Sequence, residues 1–267
     1  MRRENNDVTK DVMNAGDRSI LPARLPPLAQ TNLALYRQLH DLGYAASDLV
    51  YIRDCYELAA TLFIGLLRGS GKPFLAHLVG TASALAAMKT PVAVIAAGLL
   101  HASYDQGDFG IMRWRRRRQR VRAIAGSDAE AFVWHYHEMP WSPAQIPLLQ
   151  GRVARLSTMD RIVVQMRLAN ELDDNLDMAM RYCHEGKDAY RDCQGNLVSL
   201  ARELGEDALA TTLDATYRES SEAVWAKALS LGRGDSYQLA STFGLKLLKP
   251  AKVLQRIVTA ITRSFAR

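Results

Sequence analysis

Two histidines fall on consecutive helical runs of small and apolar residues, and this pairing restricts the fold more than any other feature. The stretch RGSGKPFLAHLVGTASALAAMKTPVAVIAAGLLHASYDQGDFG, residues 68–110, carries His77 in its first half and His101 in its second. Lys89-Thr90-Pro91 forms a turn between the two runs, and Pro73, behind Gly69-Ser70-Gly71, sits where a new helix accepts a proline in its first turn. Alanine, glycine, serine and threonine dominate the first run, about 74–88, and small side chains allow short distances between helix axes. The second run, about 91–103, is apolar on nearly every side until His101, the mark of a central buried helix. Folded as a hairpin, the two runs bring both histidines towards one point.

The remaining segments read as helices around that hairpin, predicting an all-α bundle. Residues 1–30 are polar and then proline-rich, and are expected to form a flexible arm. A first helix begins behind Thr31-Asn32, carries Leu33, Tyr36, Leu39 and Leu42, and stops at Gly43. Ser47 caps a second, with Leu49, Ile52, Tyr56, Ala59, Phe63 and Leu66 at core spacing. A helix over about 158–183 bears two stripes. Leu168, Leu172, Leu176 and Ala179 form an apolar one. Asn170, Asp173, Asp174 and Asp177 form a carboxylate-bearing one, by itself equally readable as a solvated acidic face. Helices over about 195–204, 206–231 and 236–265 form a C-terminal extension (191–267) packed on the domain of residues 31–190.

Several function classes drop out. Gly69-Ser70-Gly71-Lys72 is not a phosphate loop, because Leu66 and Pro73 occupy positions that need glycine and a hydroxyl. The three cysteines have no CxxC spacing, which argues against a disulfide framework or a cysteine zinc site and for a reducing, cytoplasmic compartment. No apolar run reaches the roughly 20 residues of a membrane span, and no signal peptide is read at residues 1–10. The net charge of +6 is concentrated in RWRRRRQRVR, residues 113–122. This run is taken as a solvated basic helix face rather than a nucleic-acid groove. His135 and His137, at i and i+2, point to different sides of a helix and make a poor chelating pair.

With these elements placed, RGSGKPFLAH, LLHASYDQG and RLANELDDN occur in an order that resembles the HD superfamily of helical metal-dependent phosphohydrolases. The likeness is greatest to the hydrolase domain of guanosine-polyphosphate enzymes, and spans about residues 45–183. It implies that His77 and His101 are metal ligands, that Arg68 contacts a nucleotide, and that Asp105 helps activate water. The chain departs from the pattern at three acids: Ala102 stands for the aspartate of the His-Asp doublet, Gln106 for the second acid of a pair, and Asn170 for the aspartate that closes the coordination sphere. The chain also resembles an uncharacterised branch, the domain-of-unknown-function 6817 family, whose members read HLxGT and then AGLLHAxY or AGLFHSxY. In that branch Ala102 is the normal residue.

The expected site therefore has His77, His101 and Asn170 as ligands of a divalent ion such as Mn, Fe or Zn. His101 and Asp105 are the catalytic pair, and Arg68, Lys72 and Asp174 contact a small, phosphorylated substrate. Two imidazoles and an amide carry no charge to offset a divalent ion. Two other functions therefore stand beside hydrolase or lyase chemistry: a metal-free module that binds a ligand or partner, and iron-dependent oxygenation or metal-free acid–base catalysis in the same pocket. The apolar C-terminal helices are compatible with a homo-oligomer.

Overall fold

Residues 23–68, 70–176, 192–222 and 238–239 are described in the computed structural model of the chain, which is an all-α bundle. In chain order the helices are α1 (Asn32–Asp41), α2 (Ala46–Phe63), α3 (Phe74–Ala87), α4 (Val92–Leu100) and α5 (Ser103–Gln106), followed by α6 (Trp114–Glu138) and α7 (Ile146–Leu149). After a 3-10 turn at Val153–Arg155 come α8 (Thr158–Leu176), α9 (Gln194–Glu203) and α10 (Asp207–Glu222). One antiparallel pair of two-residue strands joins β1 (Leu66–Leu67) to β2 (Gln238–Leu239). That pairing corrects the expected helical state at Leu66, and at the start of the segment expected as helix 236–265. The rest of that segment, like residues 177–191, lies outside the described residues.

The α3–α4 hairpin forms the centre. Lys89 adopts the left-handed conformation (φ 56°), and its N–H donates to Ala86 O at 2.8 Å, closing α3. Thr90 then seals the turn with its hydroxyl on Leu85 O at 3.1 Å, and Pro91 starts α4. Val94, Ile95, Leu99 and Leu100 are at most 1% exposed, each such burial contributing about 1.5–3 kcal/mol. α2, α6 and α8 surround the hairpin, and α10 packs on α8 with α9 beside it. Leu197, Leu200, Leu209 and Leu213 belong to the same buried cluster as the hairpin.

Some boundaries and faces differ from the sequence expectation. Helix α2 begins one residue before Ser47, and its N-terminus is closed by Asp48, which accepts from the Ala45 N–H at 3.1 Å. Leu35 and Leu39 form the buried face of α1, while Leu33 is 72% exposed. Leu176, at 38% exposure, leaves the apolar stripe of α8. Residues 23–30, assigned to the arm on composition, lie against the bundle: the N–H groups of Leu25 and Ala29 donate to Thr212 Oγ1 and Ser83 Oγ, both at 2.8 Å.

The basic run is not simply a solvated face. Helix α6 kinks at Gly126 (φ 77°), and Arg118 and Arg122, before the kink, bind fully buried Glu130 behind it. Tyr104 Oη also donates to Glu130, at 2.9 Å. A carboxylate out of water needs such partners, and these two arginines supply them.

Candidate functional site

The carboxylate stripe of α8 meets the face of α3 that carries His77, and the two interlock through Asp173. This side chain is fully buried and accepts from Lys72 Nζ (2.9 Å to both oxygens), from Gln30 Nε2 (3.0 Å) and from His77 Nδ1 (2.8 Å). Burial alone would push its pKa up, but His77, Lys72 and Gln30 outweigh that and hold the carboxyl below its ordinary value. Gly80, one turn beyond His77, makes the approach feasible: a β-carbon there would sit 1.8 Å from Asp173 Oδ1.

On its other side the His77 ring presents Nε2 to Asn170 Oδ1 at 3.0 Å. Asp174 lies beside this pair, 3.5 Å from His77 Nδ1, and accepts from Arg68 Nη2 at 2.6 Å. Donor atoms of His77, Asp173 and Asp174 lie within 4.8 Å of one another, the one such histidine–acid group among the described residues. Both of its carboxylates already carry a cation, Lys72 on Asp173 and Arg68 on Asp174. That network is balanced internally, so a divalent ion set between the two acids would meet two positive neighbours at once.

His101 closes α4 with its Nδ1 2.8 Å from the Gly98 carbonyl. Burial, then the nearby His77, keeps the ring well below the usual histidine pKa, so it is neutral. Nδ1–H donates to Gly98, and Nε2 keeps its lone pair. The two imidazoles meet edge to face with centres 5.3 Å apart. Nitrogens bound at about 2.0–2.1 Å to one tetrahedral ion place ring centres roughly 5 Å apart, so the separation of the two rings matches that of two ligands of one ion, and with Asn170 Oδ1, beside His77 Nε2, they form the candidate donor set. It supplies no charge of its own.

Tyr136 packs against His101 with ring centres 5.0 Å apart and planes tilted by 57°, and the Arg167 guanidinium lies 3.6 Å from the Tyr136 ring centre. Glu171, one turn beyond Arg167 on α8, accepts from Trp141 Nε1 at 3.1 Å. Burial, reinforced by Asp174, pushes its carboxyl up to about 7.

Of the residues expected from sequence, His77, His101, Asn170, Asp174, Arg68 and Lys72 converge here. Asp105 sits apart. Its side chain is 45% exposed and its Oδ1 lies 2.6 Å from His137 Nδ1, because the short α5 turns it towards α6. His135 pairs with Asp160 at 2.6 Å, so the two histidines of that cluster do point to different partners. The sequence offers Asp173 only as one acid of the α8 stripe able to supply an oxygen to the site, and it does not mark Gln30 or Gly80. Gly80 and Asp173 had a signal in the i, i+3 spacing to His77 and Asn170, whereas Gln30 precedes the first helix and had none.

Fold and site together define an all-α bundle with a buried histidine–carboxylate network between its central hairpin and α8. Residues 65–140 match the model of a family described as Domain of unknown function (DUF6817). The matched segment contains His77, Gly80 and His101 and ends before α8. No curated protein matches the chain.

Proposed function

We propose that the chain is a divergent HD-like protein, a metal-dependent hydrolase or lyase acting on a small phosphorylated or nucleotide-like substrate. One observation carries this reading: both histidines are anchored through Nδ1, His77 on Asp173 and His101 on the Gly98 carbonyl. Metal-ligating histidines typically fix their tautomer by donating the other ring N–H in this way. His77, His101 and Asn170 would hold the ion, which when bound would polarise a substrate oxygen and make water more acidic. Asp173 orients His77 and raises the basicity of its Nε2. Arg68 and Lys72 are the cations available to phosphate oxygens, which would share them with Asp174 and Asp173. No proton is routed through Asp105, given its hydrogen bond with His137.

The test is metal content after purification, with thermal shift on adding Mn, Fe or Zn. Bound metal that His101→Ala loses while keeping its helical spectrum supports the reading. Metal-free protein with no shift overturns it and favours a second one, a metal-free ligand-binding module. That alternative is supported by the two cations that already neutralise Asp173 and Asp174.

A further inference from the structure

The turn from α5 into α6 presents an unusual surface. Ile111 is 90% exposed, Trp114 46% and Met112 36%, so three large apolar side chains stand in water within four residues. The turn is fixed from behind: Gly110 N–H donates to Asp108 Oδ1 at 3.0 Å, and Met112 N–H to Phe109 O. Trp114 is braced by Trp134, at 5.8 Å between ring centres, and by His137, at 5.2 Å. Arg117 crosses its ring at 5.1 Å. These apolar groups therefore sit on a hydrogen-bonded turn beside a cluster of packed rings.

The rim of this turn is strongly basic. Arg113, Arg115 and Arg116 are exposed, and the first turn of α6 contains no acid to offset them. Asp105, the acid on α5, is engaged by His137. Large apolar side chains surrounded by arginines match the chemistry of an anionic lipid surface, where the former enter the headgroup boundary and the latter meet phosphate and carboxylate. No described helix is long and apolar enough to cross a membrane, so such contact would be peripheral.

We propose that Ile111 to Arg116 docks this protein on anionic membrane surfaces. Nucleic acid shares the charge requirement but fits the rest poorly. Exposed Ile111 and Met112 have neither charge for phosphate nor a ring on which a base can stack, and Arg117 already lies over the half-exposed Trp114 ring. The inference is independent of the proposed chemistry at His77 and His101.

The test uses the full chain in sedimentation with vesicles of phosphatidylcholine, alone and mixed with phosphatidylserine. Binding is expected only to the mixed vesicles and should weaken with added salt. Arg115→Glu with Arg116→Glu should reduce partitioning about tenfold or more, and Ile111→Asp should reduce it while leaving the thermal midpoint unchanged. Equal binding to neutral vesicles, or undiminished binding by both variants, would overturn the proposal. So would absence of vesicle binding, with or without arginine-dependent binding to single-stranded RNA or duplex DNA.

Discussion

Gly80 and Asp173 are packed so closely that a β-carbon on residue 80 would lie 1.8 Å from Oδ1 and 2.5 Å from Cγ of the carboxylate. The polar network around His77 depends on that contact, because Asp173 reaches Lys72, Gln30 and His77 from the space a side chain would fill.

Gly80→Ala should therefore destabilise the fold. Alanine gains about 1 kcal/mol of helix propensity, but displacing a buried carboxylate held by three partners costs more, leaving a net loss of about 2 kcal/mol. Urea unfolding measures it, and a stability equal to or above that of the parent would mean that Asp173 moves without cost.

Restoring acids should strengthen metal binding if His77 and His101 hold an ion. Ala102 follows His101 and is 7% exposed, and Asn170 Oδ1 already faces His77 Nε2. Ala102→Asp and Asn170→Asp each add a negative donor and should raise affinity tenfold or more, while Asp173→Asn should lower it by about 10–100-fold. Competition with a chelator gives these ratios. No gain in either acid variant would count against an ion between the two imidazoles.

Glu130 should make stability acid-sensitive. Burial pushes its carboxyl up, but Arg118, Arg122 and Tyr104 outweigh that and hold it below its ordinary value. The folded state then binds fewer protons than the unfolded chain, so the contribution is complete above the ordinary carboxylate range and is lost as pH falls from there through the lower value of the folded state. Glu130→Gln should cost about 2 kcal/mol at neutral pH, less than for a fully buried pair because Arg122 is 53% exposed. Denaturation of both proteins at pH 7 and below about pH 4 should show the gap closing. A constant gap would assign Glu130 a packing role alone.

Cys55 should be inert in the folded protein. It is fully buried, and burial pushes its thiol up to about 12, leaving almost no thiolate at neutral pH. Peptide mass spectrometry after alkylation should find Cys55 modified only once the chain is unfolded.

The hairpin was legible because it is written in local pattern. Small residues from Phe74 to Ala87, a proline at 91 and an apolar run to Leu100 admit few structures other than two closely packed helices. Asp173 was harder. On a helical wheel it belongs with Asn170 and Asp174, and nothing local says whether that stripe faces water or another helix. Its burial follows from Gly80, 93 positions away. Asp105 shows the converse: the order of motifs placed it beside His101, yet the short turn of α5 carries its carboxylate to His137.

The sequence by itself determined the helical class, the hairpin and the identity of its two histidines, since periodicity and breakers act within a few residues of chain. Tertiary structure alone decided how the charges are spent. Lys72 and Arg68 go to Asp173 and Asp174, and Arg118 and Arg122 go to Glu130. An ion pair in a protein interior is chosen by what the packed helices bring within reach, which no single stretch of sequence specifies.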